Sequence, residues 1–161
     1  MIRVLITGMS GTGKSTVIAV LAARGYRAID TDYDDWHIWV EVDGEFDWVW
    51  REDRMCELLS SDAPGFLFVS GTSVNQGKFY PLFDHVILLS APTPLIVERL
   101  ASRANNPYGK SPEELARVLE HIETDEPLLR HGATAEIRTD APIQQVVQQI
   151  LDLVVEAEGT E

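Results

Sequence analysis

Cysteine is nearly absent from this sequence, since Cys56 is the single example in 161 residues. One cysteine excludes an internal disulfide bond, which is typical of proteins in the reducing cytoplasm. We expect Cys56 to be a small buried side chain, because no catalytic motif accompanies it. Long apolar runs are missing as well, and Arg3 and Lys14 interrupt the start before a signal peptide could form. These absences predict a cytoplasmic protein that does not span a membrane.

Basic residues are also few. There are 13 lysines and arginines against 26 acidic residues, which gives a formal net charge of -13. Nucleic-acid-binding proteins usually have a basic surface, so a nucleic-acid partner is not expected. The length, the 45% of hydrophobic residues and the lack of repeats or linkers predict one domain over residues 1–161. The sequence leaves the choice between a monomer and a homodimer open.

What the sequence does contain is a phosphate-binding loop. Residues 8–16 read GMSGTGKST, which matches G-x-x-x-x-G-K-[ST] between a strand pattern and the start of a helix. Main-chain N–H groups of such a loop and the helix N-terminus attract a phosphate, Lys14 reaches the β- and γ-phosphates of ATP, and the Ser15 hydroxyl holds Mg²⁺. The alternative is a glycine-rich turn without a ligand. The predicted contacts are Gly8, Ser10, Gly11, Thr12, Gly13, Lys14, Ser15 and Thr16.

Acidic residues follow the second predicted strand, Tyr26 to Ile29. Asp30-Thr31-Asp32 comes first, and two further aspartates lie close behind. Carboxylates at the C-terminal end of a strand lie on the ligand side of an open α/β sheet. Mg²⁺ and a substrate hydroxyl both need carboxylates there, so the phosphate loop favours a functional role over a solvated acidic turn.

Aromatic residues crowd into residues 36–54, which include all four tryptophans. A turn is expected at Asp43-Gly44, followed by a helix from about residue 46 to 60 that carries Arg51 and Arg54. Two interpretations stay open. The stretch is either an apolar cluster under a flap, or a substrate pocket with aromatic walls and arginine anchors for an anionic acceptor. We place the acceptor-binding region at about residues 33–60.

Three more apolar runs predict strands at residues 66–69, 85–89 and 135–138. Ser70 stands where a Walker B acid would follow the third strand, and Gly71 allows a ligand or backbone to approach closely. Strands and helices alternate along the chain. The pattern predicts a three-layer α/β/α P-loop NTPase fold with about five parallel strands.

Helical patterns and one polar loop fill the spaces between these strands. The helix from Thr93 to about Arg103 carries Arg99 and Arg103 on one face, which favours phosphate binding over simple solubility. Residues 104–111 have the composition of a short mobile lid, with Lys110 placed to neutralise charge. Further helices are predicted at about 112–124 and 142–156, and the end of the chain, residues 159–161, is expected to fray.

These residues carry a resemblance to a known family. The chain resembles the nucleoside-monophosphate-kinase and shikimate-kinase branch of the P-loop small-molecule kinases over nearly its whole length. Asp30-Thr31-Asp32 is similar to the D-x-D of shikimate kinases, in which the first Asp lies near Mg²⁺ and the second near the acceptor hydroxyl. Ser70 resembles the serine that this family has in place of a Walker B acid. The chain departs from the family in lacking three consecutive glycines after Ser70, and in having Lys110 where shikimate kinases have an arginine.

Other stretches resemble the substrate contacts of the family. Arg51 resembles its anchor for a substrate carboxylate, and Arg130 lies in a segment similar to the one that touches the acceptor. The turn at Asp140 and Pro142 falls where the family's loop packs against adenine. The helix before the lid resembles that of adenylate kinases, whose arginines bind nucleotide phosphates.

The resemblance implies an ATP-dependent kinase that moves the γ-phosphoryl group of Mg-ATP to a small acceptor. Nucleotide contacts beyond the loop are assigned to Arg99, Arg103, Lys110, Asp140 and Pro142. The catalytic residues that it implies are Lys14, Asp32, Arg99 and Arg130. The Mg²⁺ site is assigned to Ser15, Asp30 and Ser70. The acceptor site is assigned to Asp32, Trp36, Arg51, Arg54, Gly71, Thr72 and Arg130.

Three interpretations of the function stay open, two with different acceptors and one without an acceptor. A nucleoside monophosphate comes first, because the aromatic stretch offers stacking surface and its arginines offer a phosphate anchor. A small hydroxylated metabolite or antibiotic is the alternative. A regulatory ATPase without a small acceptor is the third, although the short chain shows no effector domain.

Overall fold

A computed structural model describes residues 1–104 and 106–158 of the chain. Asn105 of the predicted lid and the predicted frayed end, residues 159–161, lie outside the described residues. The elements in chain order are β1 (Ile2–Thr7), α1 (Lys14–Ala23), β2 (Arg27–Asp30), β3 (His37–Val42), β4 (Glu45–Trp50), α2 (Glu52–Leu59), β5 (Phe66–Ser70), a 3₁₀ segment (Gln76–Leu82), β6 (His85–Ser90), α3 (Thr93–Ser102), α4 (Pro112–Thr124), α5 (Glu126–Gly132), β7 (Ala135–Arg138) and α6 (Ile143–Glu158).

Five of the strands form one parallel sheet in the order β2-β5-β1-β6-β7, as the sequence predicts. Parallel strands direct their C-terminal ends to the same edge of the sheet, where open α/β sheets bind ligands. The register brings three strand ends together there, because Ile6 of β1 and Asp30 of β2 both pair with Ser70 of β5. The phosphate loop and Asp30-Thr31-Asp32 therefore meet beside Ser70.

Apolar side chains cover both faces of this sheet, which makes the three-layer architecture. The almost continuously apolar strands β1, β5 and β6 are typical of strands that are buried on both sides. On one face they pack against α1 and α6, around Val17, Leu21 and Ile150. On the other face they pack against Trp50, Met55 and other side chains of the segments that follow β2. The two layers of cover hold the ligand edge of the sheet in a fixed shape.

The hairpin of β3 and β4 differs from the prediction. The expected helix from about residue 46 is wrong for residues 46–50, which pair as an antiparallel strand with residues 37–41, and α2 begins only at Glu52. The cause is a local pattern with a period of two, in which aromatic and polar side chains alternate up to the buried Trp50. The turn was located correctly, since Asp43 and Gly44 have φ values of 53° and 82°, as a type I′ hairpin turn requires.

Two further expectations have different outcomes. Cys56 is exposed, so its predicted burial is wrong. The buried face of α2 consists of Met55, Leu58 and Leu59, and helical spacing turns the residue after Met55 towards solvent. For the membrane, no helix in the described part of the chain is long and apolar enough to cross a bilayer.

Candidate active site

The phosphate loop between β1 and α1 forms the floor of a cleft of about 440 Å³. A Cβ built on Gly13 would meet no atom within 4 Å, so the space in front of the loop is open to a ligand. Gly8 and Thr12 belong to the loop but are buried, and the Thr12 hydroxyl donates to the main-chain oxygen of Met9 over 2.7 Å. The loop residues that line the cleft are Ser10, Gly11, Gly13, Lys14, Ser15 and Thr16.

Lys14 is held by the loop itself. Its Nζ donates to the main-chain oxygens of Gly8 and Met9, over 2.7 and 3.0 Å. Burial lowers the pKa of Lys14 to about 8, and the carboxylates of Asp32 and Asp30 oppose this fall. An ammonium group that is buried away from water and bonded to uncharged carbonyl oxygens is strongly stabilised when a negatively charged phosphate binds to it. The lysine is therefore placed to exchange loop oxygens for phosphate oxygens.

Three oxygen groups at the strand ends fit a magnesium ion. The Ser15 hydroxyl donates to the Asp30 carboxylate over 2.7 Å, so the first two of these groups already touch. The hydroxyl of Ser70, next to Asp30 in the register, is buried and has no hydrogen-bond partner among the described residues. Mg²⁺ prefers oxygen ligands, and in kinases it takes one or two carboxylates beside waters and substrate phosphates. The described residues hold no cluster of three acids, histidines or cysteines, and a magnesium site of this kind needs none.

Asp32 and Tyr33 line the cleft on the side of β2, as the sequence predicts for Asp32. Asp32 is exposed, and its main-chain N–H donates to the Asp30 carboxylate over 3.0 Å. The Asp32 charge reaches across the cleft. Burial lowers the pKa of Arg103, and Asp32 opposes that fall, as it does for Lys14.

Arg99 of α3 and Arg103, which directly follows α3, both line this cleft. The Arg99 guanidinium bridges the phosphate loop and the segment after β7, because it donates to the main-chain oxygen of Gly11 over 3.3 Å and to both oxygens of Thr139. Arg103 donates instead to main-chain oxygens in the lid, over 3.0 Å to Asn106 and 2.5 Å to Tyr108. One arginine therefore ties together the walls of the nucleotide cleft, and the other ties down its lid.

The predicted contacts that do not line the cleft include Arg130, Lys110, Asp140 and Pro142. Arg130 forms ion pairs with Glu126 and Glu136 over 3.0 and 2.7 Å. These two partners raise the pKa of Arg130 and bind its guanidinium to its own end of the molecule. Lys110 is exposed, and it donates to the main-chain oxygen of Ala101 over 3.4 Å. The other two, Asp140 and Pro142, do not line the cleft, although their segment does. The neighbouring residues that take their place are Thr139, Ala141, Ile143 and Val146.

A second pocket, also of about 440 Å³, lies beside Asp30 in the predicted acceptor region. Trp36 and Arg54 line it, and the guanidinium carbon of Arg54 lies 4.0 Å from the centre of the Trp36 ring. Arg54 also donates to the main-chain oxygens of two aspartates. Arg51 is paired with Asp35 over 3.2 Å and has a buried Nε without a partner. The predicted anchors are thus near the site but already engaged within the chain.

The residues that hold the aspartate segment in place were missed by the sequence reasoning. The Trp50 indole N–H donates to the Thr31 hydroxyl over 3.0 Å, and that hydroxyl donates to the Ser70 main-chain oxygen over 2.8 Å. Gly71 lies against this pair, since a Cβ there would be 2.0 Å from the Thr31 oxygen. Thr72 joins the same edge to the phosphate loop by donating to Gly8 over 2.6 Å. Gly71 and Thr72, predicted as substrate contacts, thus have structural partners here.

The strand order and the G-x-x-x-x-G-K-[ST] loop at the end of β1 define a protein of the P-loop class. A family model described as an AAA domain matches residues 4–120, which is more than half of the chain. The chain belongs to this AAA-domain family of P-loop proteins. No curated protein sequence matches it significantly.

Solved structures of P-loop kinases are similar over almost the whole chain. A shikimate kinase from Acinetobacter baumannii, in complex with shikimate, has a TM-score of 0.68 at 20% identity and covers 98% of this chain and 94% of its own. A shikimate kinase from Bacteroides thetaiotaomicron has a TM-score of 0.63 at 16% identity, with 95% and 98% covered. A gluconokinase from Sinorhizobium meliloti 1021 has a TM-score of 0.61 at 17% identity, with 97% and 93% covered. The resemblance to P-loop small-molecule kinases is thereby confirmed at the level of the fold.

Proposed function

We propose that this protein is a kinase that transfers the γ-phosphoryl group of ATP to a hydroxyl group of a small acceptor. The position of Asp32 carries the proposal. Among the described residues that line the nucleotide cleft, Asp32 is the only acid, and it is close enough to Lys14 to oppose the fall in the lysine pKa. An acceptor hydroxyl beside a γ-phosphate needs a group that orients it and accepts its proton, and a carboxylate at this place supplies both.

The remaining groups of the cleft act by positioning and by neutralising charge, which is most of what phosphoryl transfer requires. Main-chain N–H groups of the phosphate loop hold the phosphates. Lys14 joins them by releasing the main-chain oxygens of Gly8 and Met9. Arg99 of α3 and Arg103 just after it line the cleft and offset the charge that the phosphoryl group carries. Arg103 holds Asn106 and Tyr108 of the predicted lid beside the cleft, where this segment helps to exclude water.

Ser15, Asp30 and Ser70 are the groups that would hold Mg²⁺, which when bound neutralises charge on the phosphate oxygens. The Ser15 hydroxyl donates to Asp30, which leaves the lone pairs of its oxygen available as a metal ligand while the hydrogen bond fixes its orientation. The unpaired Ser70 hydroxyl is buried close by and is suited to hold a water that the ion retains. Asp32 is thereby left for the acceptor.

A nucleoside monophosphate is the second candidate acceptor. The pocket beside Asp30 favours it, because a base could stack on an aromatic ring such as Tyr33 while a guanidinium pairs with the phosphate. We rank it below a hydroxylated acceptor because Arg51 and Arg54 already have partners within the chain. A structural relative in complex with shikimate, a hydroxylated ligand, supports the same ranking.

The test is release of ADP by the purified protein with ATP and Mg²⁺ against a panel of acceptors: sugars and sugar acids, shikimate-like acids, aminoglycosides, nucleosides and nucleoside monophosphates. Lys14→Ala serves as the blank. We expect one hydroxylated class to raise turnover well above basal hydrolysis. Asp32→Asn should lower that turnover by about 100- to 10,000-fold and basal hydrolysis much less. Asp43→Asn is the matched control, since it removes a carboxylate from the distant hairpin turn and keeps the turn geometry.

Three results would redirect the proposal. Turnover with nucleoside monophosphates that survives Asp32→Asn would favour the second candidate, because a phosphate acceptor needs no base. Basal hydrolysis without stimulation by any acceptor would favour the regulatory ATPase. Lack of ATP binding by the wild-type protein would refute all three readings.

A further inference from the structure

The β3–β4 hairpin carries an aromatic surface that the proposed reaction does not use. Trp39 and Trp48 form a cross-strand pair with ring centres 5.0 Å apart and planes tilted by 50°. Side chains alternate along a strand, so Phe46 and Glu41 share the face of these two rings. Trp39, Phe46 and Trp48 are 62%, 65% and 47% exposed. We call these four side chains, Trp39, Glu41, Phe46 and Trp48, the aromatic face.

This surface costs free energy while it faces water. The hairpin is a separate two-stranded sheet, and only its base is anchored, through the buried His37 and Trp50. Ile38 and Val42 expose further apolar surface on the opposite face. A two-stranded hairpin is marginal by itself, and clustered exposed aromatic side chains in a soluble protein mark a contact site.

The charges around the aromatic face specify the sign of what covers it. Between His37 and Trp50 there are four carboxylates and no lysine or arginine, and Glu41 lies on the aromatic face itself. Residues 30–53 as a whole hold ten carboxylates and a single arginine, Arg51. A second copy of this chain, at a net charge of -13, or an anionic lipid surface would be repelled. A cationic partner would be attracted both by the carboxylates and by the negative faces of the aromatic rings.

Just before the hairpin, the chain contains a contact between a cationic group and a tryptophan ring. The Trp36 ring is covered by the guanidinium of Arg54 at 4.0 Å. In the described part of the chain no other guanidinium or ammonium group lies over an aromatic ring. His37, which stacks on Trp48, does not supply this charge, because burial lowers its pKa and keeps it mostly neutral at pH 7.

We propose that the aromatic face binds an arginine or lysine side chain in a basic segment of a partner protein. The cationic group stacks on Trp39 and Trp48 and pairs with Glu41. The exposed Phe46 beside them extends the apolar surface past what one small cation covers, so the occupant is a peptide segment with an apolar neighbour and not a free organic cation.

Calorimetry with short synthetic peptides tests this. The probe alternates arginine with valine, and its control replaces each arginine by citrulline, which keeps the shape and removes the charge. We expect the arginine peptide to bind and the citrulline peptide to bind at least roughly ten-fold more weakly. The double variant Trp39→Leu, Trp48→Leu keeps an apolar surface without the rings, and it should weaken binding of the arginine peptide by roughly ten-fold. Leu128→Gln, at an exposed apolar position on α5, should leave the affinity unchanged.

Further arms separate the other occupants. Arginine methyl ester, a free cation, should bind far more weakly than the peptide, and the thermal unfolding midpoints of the variants should match the wild type. Equal binding of the two peptides would overturn the charge argument. Equal binding by the double variant would place the peptide elsewhere on the acidic surface, and absence of peptide binding would refute the proposal. A wild-type dimer in sedimentation that the double variant converts to a monomer would mean that a second copy covers the face.

Discussion

The short segment Asp30-Thr31-Asp32 is held from two sides, and the two sides work differently. On the side of the phosphate loop, the Ser15 hydroxyl donates to Asp30 over 2.7 Å, and inside the loop the main-chain oxygens of Gly8 and Met9 accept hydrogen bonds from Lys14. On the side of the hairpin, side chains make the contacts. The Trp50 indole binds Thr31, and the Trp50 main-chain N–H lies 3.1 Å from both the Ser73 hydroxyl and the Asn75 side-chain oxygen.

This difference shows how one site can combine an invariant chemistry with an adaptable one. A loop built from backbone groups presents the same donors whatever its side chains are, and a phosphate needs little else. A support built from side chains depends on residue identity and on long-range packing, so it can change with the acceptor. The following substitutions and conditions test whether the two supports are in fact separate.

The largest effect is expected from Gly71→Ala on the hairpin side. Its Cβ would lie 2.0 Å from the Thr31 oxygen at a φ of 154°, so either Thr31 or the indole must move. We expect the free energy of unfolding in urea to fall by about 3 kcal/mol. Gly77→Ala is the control, because a Cβ there meets no atom within 4 Å. A loss of unfolding free energy close to that of Gly77→Ala would mean that the hairpin side accommodates the added methyl group and is not a rigid support.

On the side of the loop, ATP affinity should depend on pH through Lys14. The pKa of its ammonium group is about 8 in the free protein, so the group is charged below pH 8 and loses its proton above it. Since the triphosphate binds the charged form, affinity should be level just below pH 8 and fall by up to about ten-fold per pH unit above it. Calorimetric titrations measure this, with Lys14→Arg as the variant that stays charged. A flat wild-type profile would show that loop oxygens hold the proton on Lys14 more firmly than we infer.

The smallest effect is expected from Trp50→Phe, which keeps the ring in the core and removes the indole N–H. Thr31 still donates to Ser70, so we expect the free energy of unfolding to fall by only about 1 kcal/mol. If the hairpin positions the aspartates, kcat for the best acceptor should fall while the KM for ATP stays constant. Trp48→Phe, at an exposed position, provides the reference. A matching change in both kinetic constants would show that the two supports are coupled.

Local patterns explain why the loop side could be predicted. The phosphate loop and the parallel strands depend on patterns within a few residues, and the predicted sheet is confirmed. Arg99 and Arg103 both line the cleft, and their roles stay predictions. In the hairpin, the turn was predicted and the second strand was not. Its turn is a local signal, but a strand of six residues with three aromatic side chains also matches the start of a helix when α2 follows directly.

Long-range contacts explain the rest. Arg130 was assigned to the acceptor from its segment alone, and its ion pair depends on Glu136 in β7, whose place beside α5 only the folded chain determines. Lys110 has the charge that a lid needs, yet it points at Ala101. The hydrogen bond between Trp50 and Thr31 joins residues that are 19 positions apart, and no sequence pattern in either segment predicts it.

All four tryptophans lie within residues 36–50, in three different settings. Trp36 lies under a guanidinium, Trp50 is buried and hydrogen-bonded, and Trp39 and Trp48 face water beside each other. The intrinsic fluorescence of the native chain therefore comes from one side of the site, while the phosphate loop contributes no indole. Emission that changes on addition of a nucleotide would report movement of the aspartate segment and its hairpin, without any label being attached.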